Sequence, residues 1–126
     1  MKKEIEPTKS ELEILQVLWQ HGPSTVRFVN DELNSQKREV NYTSTLKLMQ
    51  IMTDKRILVR DESNMKHIYA PAHPEEKVKG QLLNRFVDSL YNGSSASLVM
   101  QLLGNKKPSK KELDAIRELI DKMVKK

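Results

Sequence analysis

Asn41-Tyr-Thr-Ser-Thr-Leu-Lys-Leu-Met-Gln-Ile-Met-Thr-Asp-Lys55 is the stretch that decides how the rest of the chain must be arranged. Leu46, Leu48, Met49, Ile51 and Met52 crowd one half of a 3.6-residue repeat, too densely for a helix surrounded by water. The pattern predicts a helix with one buried face. Its first turn differs in character: Asn41 is suited to cap it, and Tyr42, Thr43, Ser44 and Lys47 offer hydroxyls and an amine near the N-terminus. Taken alone, the stretch reads more readily as a core helix whose first turn happens to be polar. The flanking segments change that balance.

Upstream, Thr8-Lys-Ser-Glu11 is a capping box preceded by Pro7, and it opens a helix running to about His21. Leu12, Leu15, Leu18 and Trp19 form its apolar stripe, widened by Ile14 and Val17, and Gly22-Pro23 ends it. Ser24 or Thr25 caps a second helix with Val26, Val29 and Leu33 inward, and a short charged linker leads to Asn41. Downstream, Ile57–Asp61 and Lys66–Ala70 are β-type runs separated by the turn-forming Glu62-Ser-Asn-Met65. The alternation predicts Ile57, Val59 and Ile68 facing inward, with Arg60, Lys66, His67 and Tyr69 accessible. Three helices followed at once by a hairpin match a winged helix-turn-helix, in which the third helix enters a DNA major groove by its N-terminus. A small α+β domain of unrelated purpose is the plainer alternative.

Pro71-Ala-His-Pro74 marks a boundary, and Glu75-Glu76 behind Pro74 favour a helix start. That helix carries Val78, Leu82, Leu83, Phe86, Val87, Leu90 and Tyr91, and ends at Asn92-Gly93. A short helix from Ser94 to Leu103 follows, stopped by Gly104-Asn105, and Ser109 with Glu112 makes a second capping box. The last helix spaces Leu113, Ile116, Ile120 and Met123 by three, four and three. Three helices with no sheet to cover them cannot bury so many apolar side chains alone. Two copies can, so residues 74–126 are expected to form a homodimer through Phe86, Leu90, Leu98, Leu102, Ile116 and Ile120. Packing onto the first domain is the alternative. The expected fold is mainly α with a small β-hairpin wing: a winged helix-turn-helix over 1–73 and a three-helix dimerisation region over 74–126. Such a two-fold protein fits a palindromic operator in double-stranded DNA.

Composition narrows the remaining possibilities. The 126 residues contain no cysteine, which excludes disulfides, thiolate metal sites and a cysteine nucleophile. No long apolar run occurs and MKKEIEP lacks a signal-peptide core, so a cytoplasmic location without membrane insertion is expected. The net charge of +5 suits a polyanionic partner, but it is spread unevenly: net +1 over 1–73 and net +4 over 74–126. Within 37–69, Lys37, Arg38, Lys47, Lys55, Arg56, Arg60 and Lys66 face only Glu39, Asp54, Asp61 and Glu62. His21, His67 and His73 have no helical ligand spacing, and no phosphate loop or nucleophile elbow is present. Glu75-Glu76 point about 100° apart on a helix and read as charge placement rather than an acid/base pair. No cofactor, metal or catalytic residue is expected.

The chain resembles the penicillinase-repressor family of transcriptional regulators, the BlaI/MecI/CopY type, over nearly its whole length. Four stretches carry the likeness: Leu12-Glu-Ile-Leu-Gln-Val-Leu-Trp19, Tyr42-Thr-Ser-Thr-Leu46 with Lys55 and Ile57-Leu58 behind it, His67-Ile-Tyr-Ala-Pro71, and Phe86-Val-Asp-Ser-Leu-Tyr-Asn-Gly93 with Ser97-Leu-Val99. The family usually has Lys-Gly where this chain has Lys55-Arg56, and the cysteine cluster of its copper-responsive members is absent. In the β-lactam-responsive branch a membrane metalloprotease sensor cuts the repressor at an Asn-Phe bond, and the aligned position here is Gln101-Leu102. The resemblance thus implies a sensor protease as a further partner and Gln101-Leu102 as the bond at issue.

The resulting expectation is a dimeric repressor, not an enzyme. Thr43, Ser44 and Lys47 are expected at base edges. Tyr42, Lys55, Arg60, Lys66 and Tyr69 are expected at phosphates, with Lys37 and Arg38 adding to them from the linker. The competing reading is a winged helix used as a protein-interaction module without DNA.

Overall fold

The computed structural model describes residues 6–36, 38–63 and 65–125, so Lys37 and Asn64 of the expectations above lie outside the described residues. The first three helices begin where a side chain satisfies their free N–H groups. Thr8 Oγ1 accepts from the Glu11 N–H at 3.2 Å and Glu11 Oε1 accepts from the Thr8 N–H at 2.9 Å, starting α1 (Lys9–His21). Thr25, not Ser24, caps α2 (Val26–Gln36), accepting from the Phe28 N–H at 3.1 Å. Asn41 Oδ1 accepts from the Ser44 N–H at 2.8 Å and starts α3 (Tyr42–Asp54).

Strands β1 (Leu58–Asp61) and β2 (Ile68–Pro71) pair antiparallel, with Leu58 opposite Pro71 and Arg60 opposite Tyr69. Ser24 is used differently from the expectation. Its N–H donates to the Tyr69 carbonyl at 3.0 Å and its carbonyl accepts from the Tyr69 N–H at 2.8 Å, so the turn after α1 lies beside β2. The core of this unit joins Ile14, Leu15 and Leu18 of α1, Val29 and Leu33 of α2, Met49 and Met52 of α3, Ile57, Leu58 and Tyr69. Helix α4 (Glu75–Tyr91) adds Val78, only 2% exposed, and Leu82 to the same core. The first compact unit therefore runs through Leu83 rather than stopping at 73, because the opening turns of α4 are part of its packing.

The second unit, from Asn84, comprises the remainder of α4 with α5 (Ser95–Asn105) and α6 (Lys110–Val124). Asn92 and Gly93 take left-handed backbone (φ 51° and 81°), and the Gly93 N–H returns to the Val87 carbonyl at 3.1 Å, closing α4. Ser94 caps α5, accepting from the Ser97 N–H at 3.1 Å. The helix runs on through Gly104, since one glycine weakens a helix without ending it. Ser109 and Glu112 form the expected capping box of α6. Within the single chain, neither α5 nor α6 buries a residue. Phe86, Leu90, Leu102, Leu119 and Ile120 are exposed.

Candidate nucleic-acid interface

Helix α3 is fixed from behind. Thr45, Met49 and Met52 are buried, while Tyr42, Thr43, Ser44 and Lys47 are exposed on the other side. A small polar cluster sets the angle of the α2–α3 turn. Buried Asn30 donates from Nδ2 to Thr45 Oγ1 at 2.8 Å and to the Val40 carbonyl at 3.0 Å. Asn34 Nδ2 donates to Asn30 Oδ1 at 3.2 Å, and Asn34 Oδ1 accepts from the Val40 N–H at 2.7 Å. Satisfied polar groups in a low-dielectric setting hold one arrangement and penalise others, so this cluster locks the α3 tip to α2. Reading the sequence missed both asparagines. The available signal was two amides four residues apart, Asn30 and Asn34, near enough on one helix to bond each other.

Beside the tip, the Arg27 guanidinium lies over the Tyr42 ring, 4.5 Å from its centroid. A groove of about 900 Å³, lined by Arg27, Asn30, Asn34, Glu39, Val40, Asn41 and Tyr42, opens next to this pair. Arg27 was not among the expected contacts.

The wing departs from the expected alternation at two positions, Val59 and Tyr69, while Ile57 is buried and Lys66 and His67 are exposed as expected. Tyr69 is 1% exposed and lies in the core, whereas Val59 is 53% exposed. Tyr69 is thus corrected from phosphate contact to core residue. The reason is that Ile57 and Leu58 are both buried in succession, Ile57 being drawn in as its N–H caps the Met52 carbonyl at 2.9 Å. Leu58 then sets the inward phase of the strand, so Val59 turns out. Arg60 is half engaged: its Nε donates to Glu62 Oε2 at 2.9 Å, and the hydrogen bonds it donates to Tyr69 and then to Glu62 raise its pKa. Arg60 in turn lowers the Glu62 carboxyl, and Ser63 lowers that of Asp61. Lys66, at the wing, is exposed.

Two other expected phosphate contacts are already occupied. Lys55 Nζ donates to both carboxylate oxygens of Glu11, at 3.0 and 2.9 Å, tying the end of α3 to α1. Arg38 donates from Nη2 to Glu13 Oε1 at 2.9 Å. Arg56 adopts left-handed backbone (φ 65°), and its N–H bonds to the Thr53 carbonyl at 3.0 Å. The turn thus holds a conformation that a side chain disfavours.

Comparison with known proteins adds to this geometry. The family model described as penicillinase repressor matches residues 7–122. The chain belongs to the penicillinase repressor family. The penicillinase repressor of Staphylococcus aureus is 23% identical over 124 residues, covering 98% of both chains. That of Bacillus licheniformis is 24% identical over 121 residues, 96% of this chain and 94% of its own. The transcriptional regulator BlaI of Mycobacterium tuberculosis is 25% identical over 112 residues, covering 87% and 79%. The solved structure of Lactococcus lactis ZitR aligns over 99% of this chain and 78% of its own, at 12% identity and a TM-score of 0.46. In this penicillinase repressor family member, Gln101 and Leu102 lie inside α5, where the Leu102 carbonyl accepts from the Lys106 N–H at 3.1 Å. Among the described residues no helix is long and apolar enough to cross a membrane, and no group of histidines and carboxylates could hold a metal.

Proposed function

We propose that the protein is a DNA-binding transcriptional repressor that occupies a palindromic operator as a homodimer. The observation that carries the reading is the division of α3 into a buried face of Thr45, Met49 and Met52 and an exposed tip of Tyr42, Thr43, Ser44 and Lys47. A helix held this way reaches a major groove N-terminus first, with Thr43, Ser44 and Lys47 at base edges and Tyr42 and Lys66 at phosphates. Dimerisation is supported by α5 and α6, which bury nothing in the single chain yet carry Leu98, Leu102, Ile116 and Ile120, and by the exposed Phe86 and Leu90 of α4. The natural occupant of that face is a second copy, since a two-fold arrangement supplies the same unmet surface twice.

Release from DNA is read from the same unit. A protease cutting between Gln101 and Leu102 must first unwind α5, because a helical backbone has its peptide groups engaged. The cut would separate α6 from the rest of the chain, and each arm would then bind its half-site alone, without the effective concentration the dimer supplies. A membrane metalloprotease sensor is the partner that fits this route.

The deciding experiment is selection from a random duplex pool followed by footprinting. The reading requires a two-fold symmetric site bound at about 10⁻⁸ M or tighter, with affinity falling by about 0.9 log unit per log unit of salt for each phosphate neutralised. A protein that enriches no duplex, and whose binding is indifferent to salt, is an interaction module instead.

A further inference from the structure

Arg27 sits in the first turn of α2, where the helix's own partial charge is positive and no carboxylate shares the turn. Helix stability gives no reason for an arginine there. Its guanidinium does not extend freely into water but rests over the Tyr42 ring, with Cζ 4.5 Å from the centroid. Stacking fixes the plane of the fork and leaves its edge N–H groups able to donate. Among the described residues Arg27 forms no ion pair, although Glu39 lines the same groove. Tyr42 is also the first residue of α3, so the stack sits at the end of the helix that carries the exposed tip. An oriented, exposed guanidinium with unclaimed donors is suited to a phosphodiester, which accepts two parallel N–H bonds from it.

Resting on the reading of α3 as the helix that enters DNA, we infer that Arg27 is a backbone anchor. It grips one phosphate per bound copy, and the Tyr42 ring is the platform that holds its fork in place. Arg27 belongs to α2 and Tyr42 to α3, so the anchor fixes where along the groove the tip of α3 settles. The contact is blind to sequence and acts on register.

The test titrates the full-length chain by fluorescence anisotropy with the selected duplex and a shuffled duplex, from about 50 to 200 mM KCl. Arg27→Ala should lower the salt slope by about 0.9 for each bound copy. It should weaken both duplexes by the same factor, about tenfold per copy. Measured against Tyr42→Phe, which keeps the ring and drops the hydroxyl's own phosphate contact, Tyr42→Leu should weaken binding further while Arg27 is present and add much less in the Arg27→Ala background, giving a coupled double-mutant cycle. An unchanged slope in Arg27→Ala, additive effects of the two substitutions, or a loss confined to the selected duplex overturns the anchor. A wild-type chain that binds neither duplex is a separate result, and it removes the DNA reading itself.

Discussion

Lys55 Nζ lies within 3.0 Å of both carboxylate oxygens of Glu11, a residue only 1% exposed and 44 positions away in sequence. The same carboxylate accepts the Thr8 N–H. One buried acid therefore starts α1 and clasps the far end of α3. Lys55 is itself partly open to solvent, which screens the pair on one side. Replacing Lys55 by Met should still cost about 1–3 kcal/mol, because the buried Glu11 carboxyl loses its cation and two hydrogen bonds. Glu11→Gln should cost less, since the amide oxygen can still accept from Thr8. Urea unfolding followed by the emission of Trp19, the single tryptophan, reports on this unit. Equal midpoints for wild type and Lys55→Met would show that the clasp adds nothing.

Arg56 gives a prediction of opposite sign. Its φ of 65° is left-handed, and among the described residues its side chain makes no compensating hydrogen bond or ion pair. Arg56→Gly should stabilise the first unit by about 0.5–1 kcal/mol, the relief of strain exceeding the added freedom of the unfolded chain. Arg56→Val should destabilise it. The same urea titration ranks the three.

Recognition should separate by element. Ser44→Ala or Lys47→Ala should narrow the gap between selected and mismatched duplexes, by about 1–3 kcal/mol for a residue making a good base contact. Lys66→Ala should weaken all duplexes alike and lower the salt slope. Competition binding measures both, and the reverse pattern would mean that the wing reads sequence and α3 merely holds on.

What could be read from the sequence divides along physical lines. The caps at Thr8, Asn41 and Ser109 were legible because a capping side chain and its target N–H lie within one turn. The inner faces of α1, α2 and α3 were legible because helical periodicity is strong over several turns. The wing phase was not. Ile57, Leu58 and Val59 are all apolar, so alternation had no phase until the end of α3 had been placed. Tyr69 was misplaced for a related reason: it pairs with Ser24, a contact 45 residues back that no local pattern announces. The engagement of Lys55 and Arg38 was equally hidden, since their partners Glu11 and Glu13 are contacts of tertiary structure.

For the second unit, Leu90 provides the sharpest test. It is 62% exposed in the single chain and central to the expected dimer face. If a second copy covers it, Leu90→Ala removes packing twice, at about 2–5 kcal/mol per copy in a well-packed core. Sedimentation should show wild type as a dimer and the variant shifted strongly toward monomer. A wild-type chain that sediments as a monomer at high micromolar concentration would end the dimer proposal.

Proteolysis is tested by mass spectrometry of the protein recovered from derepressed cells. Cleavage between Gln101 and Leu102 should yield two fragments, and stiffening α5 with Gly104→Ala should slow it by raising the cost of unwinding by about 1 kcal/mol. Full-length protein throughout derepression would point to a ligand or partner as the inducer.

The contact of Asn30 with Thr45 is on the hidden side of α3, and Thr43, Ser44 and Lys47 take no part in the cluster around it. Mutations in the exposed trio therefore escape the penalty that folding imposes on most changes. A gene duplicate of this protein could acquire a new binding site through a few substitutions there, while its scaffold stayed under unchanged selection. Drift of operator preference among paralogues should accordingly be faster than drift of Asn30, Asn34 and Thr45.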